Sequence, residues 1–382
     1  MAPPLKHLVG PALASQLAHN IGIGLSQVDG TDFDEAGFEQ AFGDQYETLE
    51  LMPRCHLLAD CLYVFLPKHY PHAIAALIAS LGPVHPSTTD FSDISFLHLP
   101  FSLFVSKYGL DYFDESMAAQ YEITQRFSAE FSIRAFIQRY PEKCFDLFQD
   151  WIKDPNPHIR RLVSEGTRPR LPWASHLVDL QADPSPIMPL LEALKDDPEL
   201  YVRRSVANNL NDIGKDHPKR VYALLTQWQK RSNKNRDWVI NYALRSAIKR
   251  CEPEALALLG YKDAQGITLN HSSIAPAQAN IGESVQINAT ICNEGDSSKA
   301  LMVDFSVYYI KANGKPRPKV FKWSQFQLAP LEQKGLSKKL NLANLSTRTH
   351  FAGPHRVDII INGHWSYLGT FELNRLTAIN SS

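Results

Sequence analysis

The chain has 382 residues, 44% of them hydrophobic, and its five cysteines are widely spaced with no CxxC pair; that size supports apolar cores needing no disulfide framework or structural zinc. No run of about eighteen apolar residues occurs, and the N-terminus lacks a basic stretch followed by an apolar run, so a cytoplasmic protein without membrane partners is expected. The formal net charge of −1 argues against a uniformly basic nucleic-acid binder.

Residues 1–85 read as helices. LKHLVGPALASQLAHNI carries apolar residues at spacings of three and four, LELMPRCHLLADCLYVFLP is a longer apolar stripe closed by Pro67, and HAIAALIASLG stops at Gly82. Residues 83–115 are loop-rich and aromatic around a short helix, LHLPFSLFVSKYG. Helices are expected again over 116–128, 129–139 and 142–152.

From residue 130 the helices repeat. DPNPHIRRLVSEG at Asp154 aligns with DPELYVRRSVANNL at Asp197 with an offset of 43, placing Arg160 with Arg203 and Arg161 with Arg204. Tyr140 to Trp151 aligns with His217 to Trp228 at an offset of 77, each with proline at the helix start, where its missing N–H costs little. A third copy begins at Asp237. Spacings near 40 residues suit HEAT-like helical pairs, which stack into a solenoid with an extended concave surface.

After Tyr261 the pattern changes to β-branched and aromatic runs separated by turns. Asn313-Gly314 and Asn362-Gly363 are strong hairpin signals. About seven short strands in about 100 residues predict an immunoglobulin-like β-sandwich. The expected organisation is therefore multidomain: a HEAT-like α-helical solenoid over 1–262, a linker over 263–274, and a sandwich over 275–375. HSSIAPAQAN, residues 271–280, reads as linker or first edge strand.

Charge is uneven along this plan. Residues 1–110 carry 4 basic and 11 acidic side chains, residues 111–262 carry 23 and 21, and residues 263–382 carry 12 and 8. A polyanion would meet the middle and end of the chain. Arg160, Arg161, Arg203 and Arg204, with Arg168 beside them, could grip phosphates from a concave helical surface. They could equally pair with an Asp of the neighbouring repeat. Arg245 and Lys249, which recur at helical spacing with Trp238 and Asn241 in the last repeat, are candidates for the DNA face. Lys315, Arg317 and Lys319, flanked by Lys311 and Lys322, form a proline-stiffened basic turn suited to phosphates or a minor groove.

Three carboxylates stand out. Glu165 lies four residues after Arg161 and three before Arg168, on one helix face; Glu130 and Arg134 make a similar pair; Asp212 follows Asn208 by four. A carboxylate beside guanidinium groups stays ionised near neutral pH, which suits stabilising a developing cation or positioning water, not donating protons. In RPRLPWASH, Pro169 and Pro172 break the helix and present Trp173, whose π face could lie against a sugar or a cationic base. The chain holds no dinucleotide fingerprint, P-loop, HExxH or nucleophile elbow, so no cofactor or metal is expected.

Together LELMPRCHLLADCL, AEFSIRAFIQRYPE, DPNPHIRRLVSEGTRPRLPWA and DPELYVRRSVANNLNDIGKDHP resemble the alkylpurine DNA glycosylase family of the AlkC and AlkD type. The likeness is closer to the AlkC branch with its additional C-terminal immunoglobulin-like domain. The EGTRPRLPW stretch is the most specific part, because generic HEAT repeats do not share it. The resemblance implies a monofunctional glycosylase for base excision repair that acts as a monomer. It would hydrolyse N3-alkylated bases, such as 3-methyladenine and 3-methylcytosine, from double-stranded DNA with water. It also implies Glu130, Glu165, Trp173 and Asp212 as active-site residues, with Arg161 nearby. The rival expectation is a non-catalytic HEAT-like scaffold for DNA or protein.

Overall fold

The computed structural model describes residues 5–28, 30–43, 46–85, 93–231, 233–345 and 348–375. They form two compact units, Met1–Pro218 with Ser232–Ala243, and Lys219–Arg231 with Leu244–Ser382. Of the aromatic stretch 83–115, residues 86–92 lie outside the described residues.

The helices in chain order are α1 (Pro11–Val28), α2 (Glu35–Phe42), α3 (Leu51–Phe65), α4 (Tyr70–Ala79), α5 (Leu99–Tyr108), α6 (Phe113–Thr124), α7 (Ile133–Arg139) and α8 (Pro141–Trp151). They continue as α9 (Pro157–Gly166), α10 (Val178–Ala182), α11 (Met188–Leu194), α12 (Leu200–Ile213), α13 (Pro218–Gln229), α14 (Lys234–Ala243), α15 (Arg245–Lys249) and α16 (Pro253–Leu258). Proline opens α8, α9 and α16 within their first turn, and the Asn156 side chain caps α9 by accepting from the His158 N–H at 2.9 Å. No helix among the described residues is long and apolar enough to cross a membrane.

The repeat read from the sequence is the repeat of the fold. α9 and α12 start 43 residues apart, and α8 and α13 start 77 apart. α12 packs between α9 and α14, burying Ile159, Leu162 and Val163 of α9 and Val202, Val206 and Leu210 of α12. Side chains three and four apart share one helix face, so each helix delivers an apolar stripe to the layer beside it. Arg54 is buried at the start of the first unit, where it donates to the carbonyls of Lys6, Val9, Glu47 and Leu49 and ties the N-terminal segment to α3.

The strands follow: β1 (Ile267–Ala275), β2 (Gln278–Asn280), β3 (Ser284–Asn293), β4 (Lys299–Ile310), β5 (Pro316–Leu328), β6 (Gln333–Asn341), β7 (Gly353–Ile361) and β8 (His364–Asn374). They form a three-stranded sheet, β1-β3-β6, and a five-stranded sheet, β2-β8-β7-β4-β5. β2 runs parallel to β8; the other pairs are antiparallel. Alternate residues such as Val285, Ile287, Val303, Phe305, Val357 and Ile359 enter one apolar core, as two facing sheets require.

One boundary differs from the sequence expectation. Residues 267–275, most of the expected linker, are strand β1, paired with β3 from Ile267↔Asn293 to Ala275↔Gln286. A register shift between Leu269 and His271 breaks the alternation that would have marked it in the sequence. The helical tail also belongs to the second unit. Asn362 donates to the Lys262 carbonyl at 2.7 Å and to that of Ala300 at 2.9 Å, and the Cys251 thiol lies 3.6 Å from the Asp304 carboxylate. Gly363, at φ +87°, passes so close to Cys251 that an added Cβ would stand 2.5 Å from its carbonyl oxygen, so the hairpin glycine also serves packing.

Candidate active site

The turn before α7, the helix α9 with the loop after it, and α12 bring the candidate side chains together. α9 presents Arg161 and Glu165 one turn apart. It ends where Thr167 folds its hydroxyl back onto the Val163 carbonyl at 2.7 Å, ahead of Pro169. α12 carries Ser205 and, two turns on, Asp212.

Here charges alternate. Arg161 pairs with Glu130 and, at 3.4 Å, with Glu165. Glu165 accepts from Arg168 at 2.6 Å, Arg168 donates from Nε to Asp212 at 2.8 Å, and Lys215 reaches the other Asp212 oxygen at 2.9 Å. Three carboxylates thus interleave with three cations. Ser205 donates to the second oxygen of Glu165 at 2.6 Å, and the Arg161 guanidinium lies over the Tyr201 ring at 5.1 Å. Burial pushes the Glu165 pKa up, but the Arg161 and Arg168 guanidiniums outweigh it and hold the carboxyl below the usual carboxylate range. Burial likewise works against the charge on Arg161, and the facing Glu130 and Glu165 more than reverse it. Arg161, Glu165 and Arg168 are therefore held charged near neutral pH.

Exposure grades along the chain of charges. The Glu130 side chain is 15% exposed, Glu165 6% and Asp212 2%. Glu130 uses one oxygen for Arg161 and Ser128, and its Oε1 has no donor among the described residues. Glu130 belongs to the wall of a cleft of about 270 Å³, shared with Glu165, Arg168, Trp173 and the apolar Leu51, Met52, Phe96, Leu99, Phe127, Phe131, Leu171 and Pro172. Trp173 stands at φ +64° and is 69% exposed. Asp212 joins through Arg168 and does not line the cleft. A larger cleft of about 780 Å³ over α6 and α8 contains none of this network.

The structure thus brings Glu130, Arg161, Glu165, Arg168 and Asp212 into one network, with Trp173 on the same cleft. Arg160 and Arg203 go elsewhere. Arg160 makes a two-point ion pair with Asp197, at 2.6 and 3.0 Å, and donates to the Asp154 and Pro155 carbonyls. Arg203, one repeat later, donates to the Asp197 and Pro198 carbonyls. Arg160 stitches its repeat to the next through Asp197, whereas Arg203 closes the turn before its own helix, and both side chains are drawn into the protein. Arg204 is exposed; Arg161 and Arg168 are enclosed by carboxylates. In the second unit Arg245 is half-buried, and Lys249, Lys315, Arg317 and Lys319 are exposed.

The expected Glu130–Arg134 pair does not form. Glu130 turns to Arg161, and Arg134 donates to carbonyls of Gly166, Arg168 and Ser175. Ser128, Tyr201, Ser205, Lys215 and the apolar wall were not singled out from sequence. Ser205 left one trace: at the 43-residue offset it occupies the position of the buried Leu162, a hydroxyl where the repeat calls for a hydrocarbon.

Residues 124–250 match the family described as DNA alkylation repair enzyme, and residues 268–375 match the C-terminal Ig-like domain of the uncharacterised protein YhaZ. The uncharacterized protein YhaZ of Bacillus subtilis (strain 168) is 34% identical over 360 residues, covering 94% of this chain and 96% of the relative. A solved structure of Pseudomonas fluorescens alkylpurine DNA glycosylase AlkC, bound to DNA containing an abasic site analog, matches with a TM-score of 0.83. It is 34% identical and the match covers 97% of this chain and 100% of that one. The chain belongs to the alkylpurine DNA glycosylase family, in its AlkC branch. Every member of the charged network and Trp173 fall inside the DNA alkylation repair match, while the YhaZ-type match spans the sandwich that marks this branch.

Proposed function

We propose that this AlkC-branch protein is a monofunctional DNA glycosylase. It hydrolyses the C1′–N bond of N3-alkylated, cationic bases, 3-methyladenine and 3-methylcytosine, in double-stranded DNA. The observation that carries this reading is a network of three carboxylates interleaved with three cations that reaches, through Glu130 and Glu165, a cleft beside Trp173. The similar AlkC structure, bound to DNA with an abasic site analog, supports it.

The chemistry follows from where charge moves. An N3-alkylated base is already positive, so it leaves with the bonding electron pair as a neutral molecule and needs no strong acid. Positive charge then grows on the sugar. A preorganised anion stabilises that oxocarbenium-like state without reorganising during the reaction. Glu130, the most exposed carboxylate of the network, with no donor to its Oε1 among the described residues, takes the role of stabilising C1′ or orienting the attacking water. Glu165 and Asp212, saturated by Arg161, Arg168, Ser205 and Lys215, hold the cations in place. Trp173 packs on the deoxyribose or the lesion. Water then adds to C1′, leaving an abasic sugar and one released proton.

The test is release of 3-methyladenine and 3-methylcytosine from duplexes carrying each lesion, with borohydride added in parallel. Free base without a trapped protein–DNA adduct is expected. An adduct would refute the water mechanism, and no release of either base would leave a non-catalytic scaffold.

A further inference from the structure

Arg134 lies outside the charged network and does not line the cleft, yet it is among the largest fully buried side chains, 2% exposed. Its guanidinium bridges both ends of the loop after α9. Nη1 donates to the Gly166 carbonyl at 3.0 Å and to that of Arg168 at 2.7 Å; Nη2 and Nε donate to the Ser175 carbonyl at 2.6 and 3.2 Å. A planar fork can satisfy three carbonyls converging this way, whereas an ammonium cannot match its spread.

The enclosed segment carries Arg168, which bridges Glu165 and Asp212, and Trp173, held in left-handed backbone conformation with its ring in solvent. A non-glycine residue rarely adopts that conformation unless its surroundings impose it. Besides the ion pairs of Arg168, the segment is tied by Asn209, which donates to Thr167 Oγ1 at 3.1 Å, by the Leu177 N–H, which donates to the Pro169 carbonyl at 3.1 Å, and by Arg170, which pairs with Asp216 at 2.7 Å. Gly166 makes the arrangement possible. A Cβ there would stand 2.4 Å from Ile133 Cγ2, so only glycine lets α7 approach closely enough for the next residue, Arg134, to reach the loop.

We infer that Arg134 is a positioning residue: a clamp on the 166–175 loop that sets Trp173 and Arg168 for catalysis without touching DNA. The inference rests on the proposed glycosylase reading for its catalytic half. Its structural half stands on the loop alone.

The test uses the full-length chain with Arg134→Lys, which keeps the charge, Arg134→Gln, which keeps some hydrogen bonding, and Arg134→Ala. Folding is checked by circular dichroism. Three quantities are read: acrylamide quenching of Trp173, isolated by difference against Trp173→Phe; trypsin cleavage after Arg170; and single-turnover release of 3-methyladenine. Each folded variant is expected to shift Trp173 quenching, to be cut after Arg170 at least about tenfold faster, and to lose about tenfold or more in release. Millimolar guanidinium should partly restore Arg134→Ala. Unchanged quenching and cleavage in folded Arg134→Lys and Arg134→Gln would overturn the clamp. A loosened loop with native release rates would overturn its role in positioning. Should the unmodified protein release no base, the glycosylase reading falls, while quenching and cleavage still decide the clamp.

Discussion

At the scale of single residues, Glu130 and Glu165 are alike in sequence and unlike in place. Glu130 uses only one oxygen, for Arg161 and Ser128; both Glu165 oxygens are taken, by Arg161, Arg168 and Ser205. Glu130→Gln should therefore slow base release and lower the melting temperature modestly, a loss of about 1 kcal/mol in stability, because one largely buried guanidinium, Arg161, loses a charged acceptor. Glu165→Gln should also slow release, and should cost about 2 kcal/mol of stability besides, because two buried guanidiniums lose a charged acceptor. Differential scanning calorimetry of the two variants checks this; equal melting temperatures would remove the distinction. The Glu165 pKa is depressed, so its share of stability is present above the ordinary carboxylate value and is lost as pH falls through the lower folded one. Glu165 was legible from charge spacing on one helix face and Trp173 from the prolines around it, both local patterns, whereas the spacing that marked Glu130 pointed to Arg134, with which it does not pair. The roles of Arg134 and Ser205 were not legible, because their partners lie 32 to 41 residues away in sequence, and for Arg134 those partners are backbone carbonyls.

At the scale of elements, the RR pairs of α9 and α12 divide their labour by helix face. The first arginine of each pair, Arg160 or Arg203, closes the turn that precedes its own helix. The second points elsewhere: Arg161 into the charged network, Arg204 to solvent. Charge reversal at Arg204 is expected to weaken DNA binding and to lower the slope of log affinity against log salt by about one. Arg203→Glu should lower the melting temperature instead, and a changed salt slope without destabilisation would return Arg203 to the DNA face. The alignment at 43 residues revealed the pairs but not which member faces inward, since adjacent helical residues differ by about 100° in direction. In the sandwich, His350 and His355 flank Tyr309, with ring centroids at 5.3 and 5.7 Å. Burial lowers the pKa of both; Arg348 adds to this for His350, and the Gly353 carbonyl opposes it for His355. Each binds fewer protons folded than unfolded, so stability should fall as pH drops below about 6.5 toward the folded values. Urea melts of His350→Gln and His355→Gln should show a flatter dependence between pH 7 and 5; an unchanged dependence would discount the pair.

For the whole molecule, the order of helical repeats followed by a sandwich was visible in the switch from three-and-four spacing to alternation near Tyr261. The exact division was not. A bulge concealed β1, and the contacts of Asn362 and Gly363 with the end of the helical tail depend on folding, not on composition. Limited proteolysis should accordingly spare residues 267–280, because β1 is paired along its length. Early cleavage there would contradict the pairing with β3. The proposed glycosylase mechanism depends on a carboxylate at the cleft lowering the barrier to losing a cationic base. Single-turnover release of 3-methyladenine from a defined duplex, by the unmodified protein and by Glu130→Gln, measures it most directly. The account predicts release by the former and a fall of roughly 100-fold or more in the latter, about 3 kcal/mol in barrier, with duplex affinity unchanged. Native-rate release by folded Glu130→Gln would contradict it.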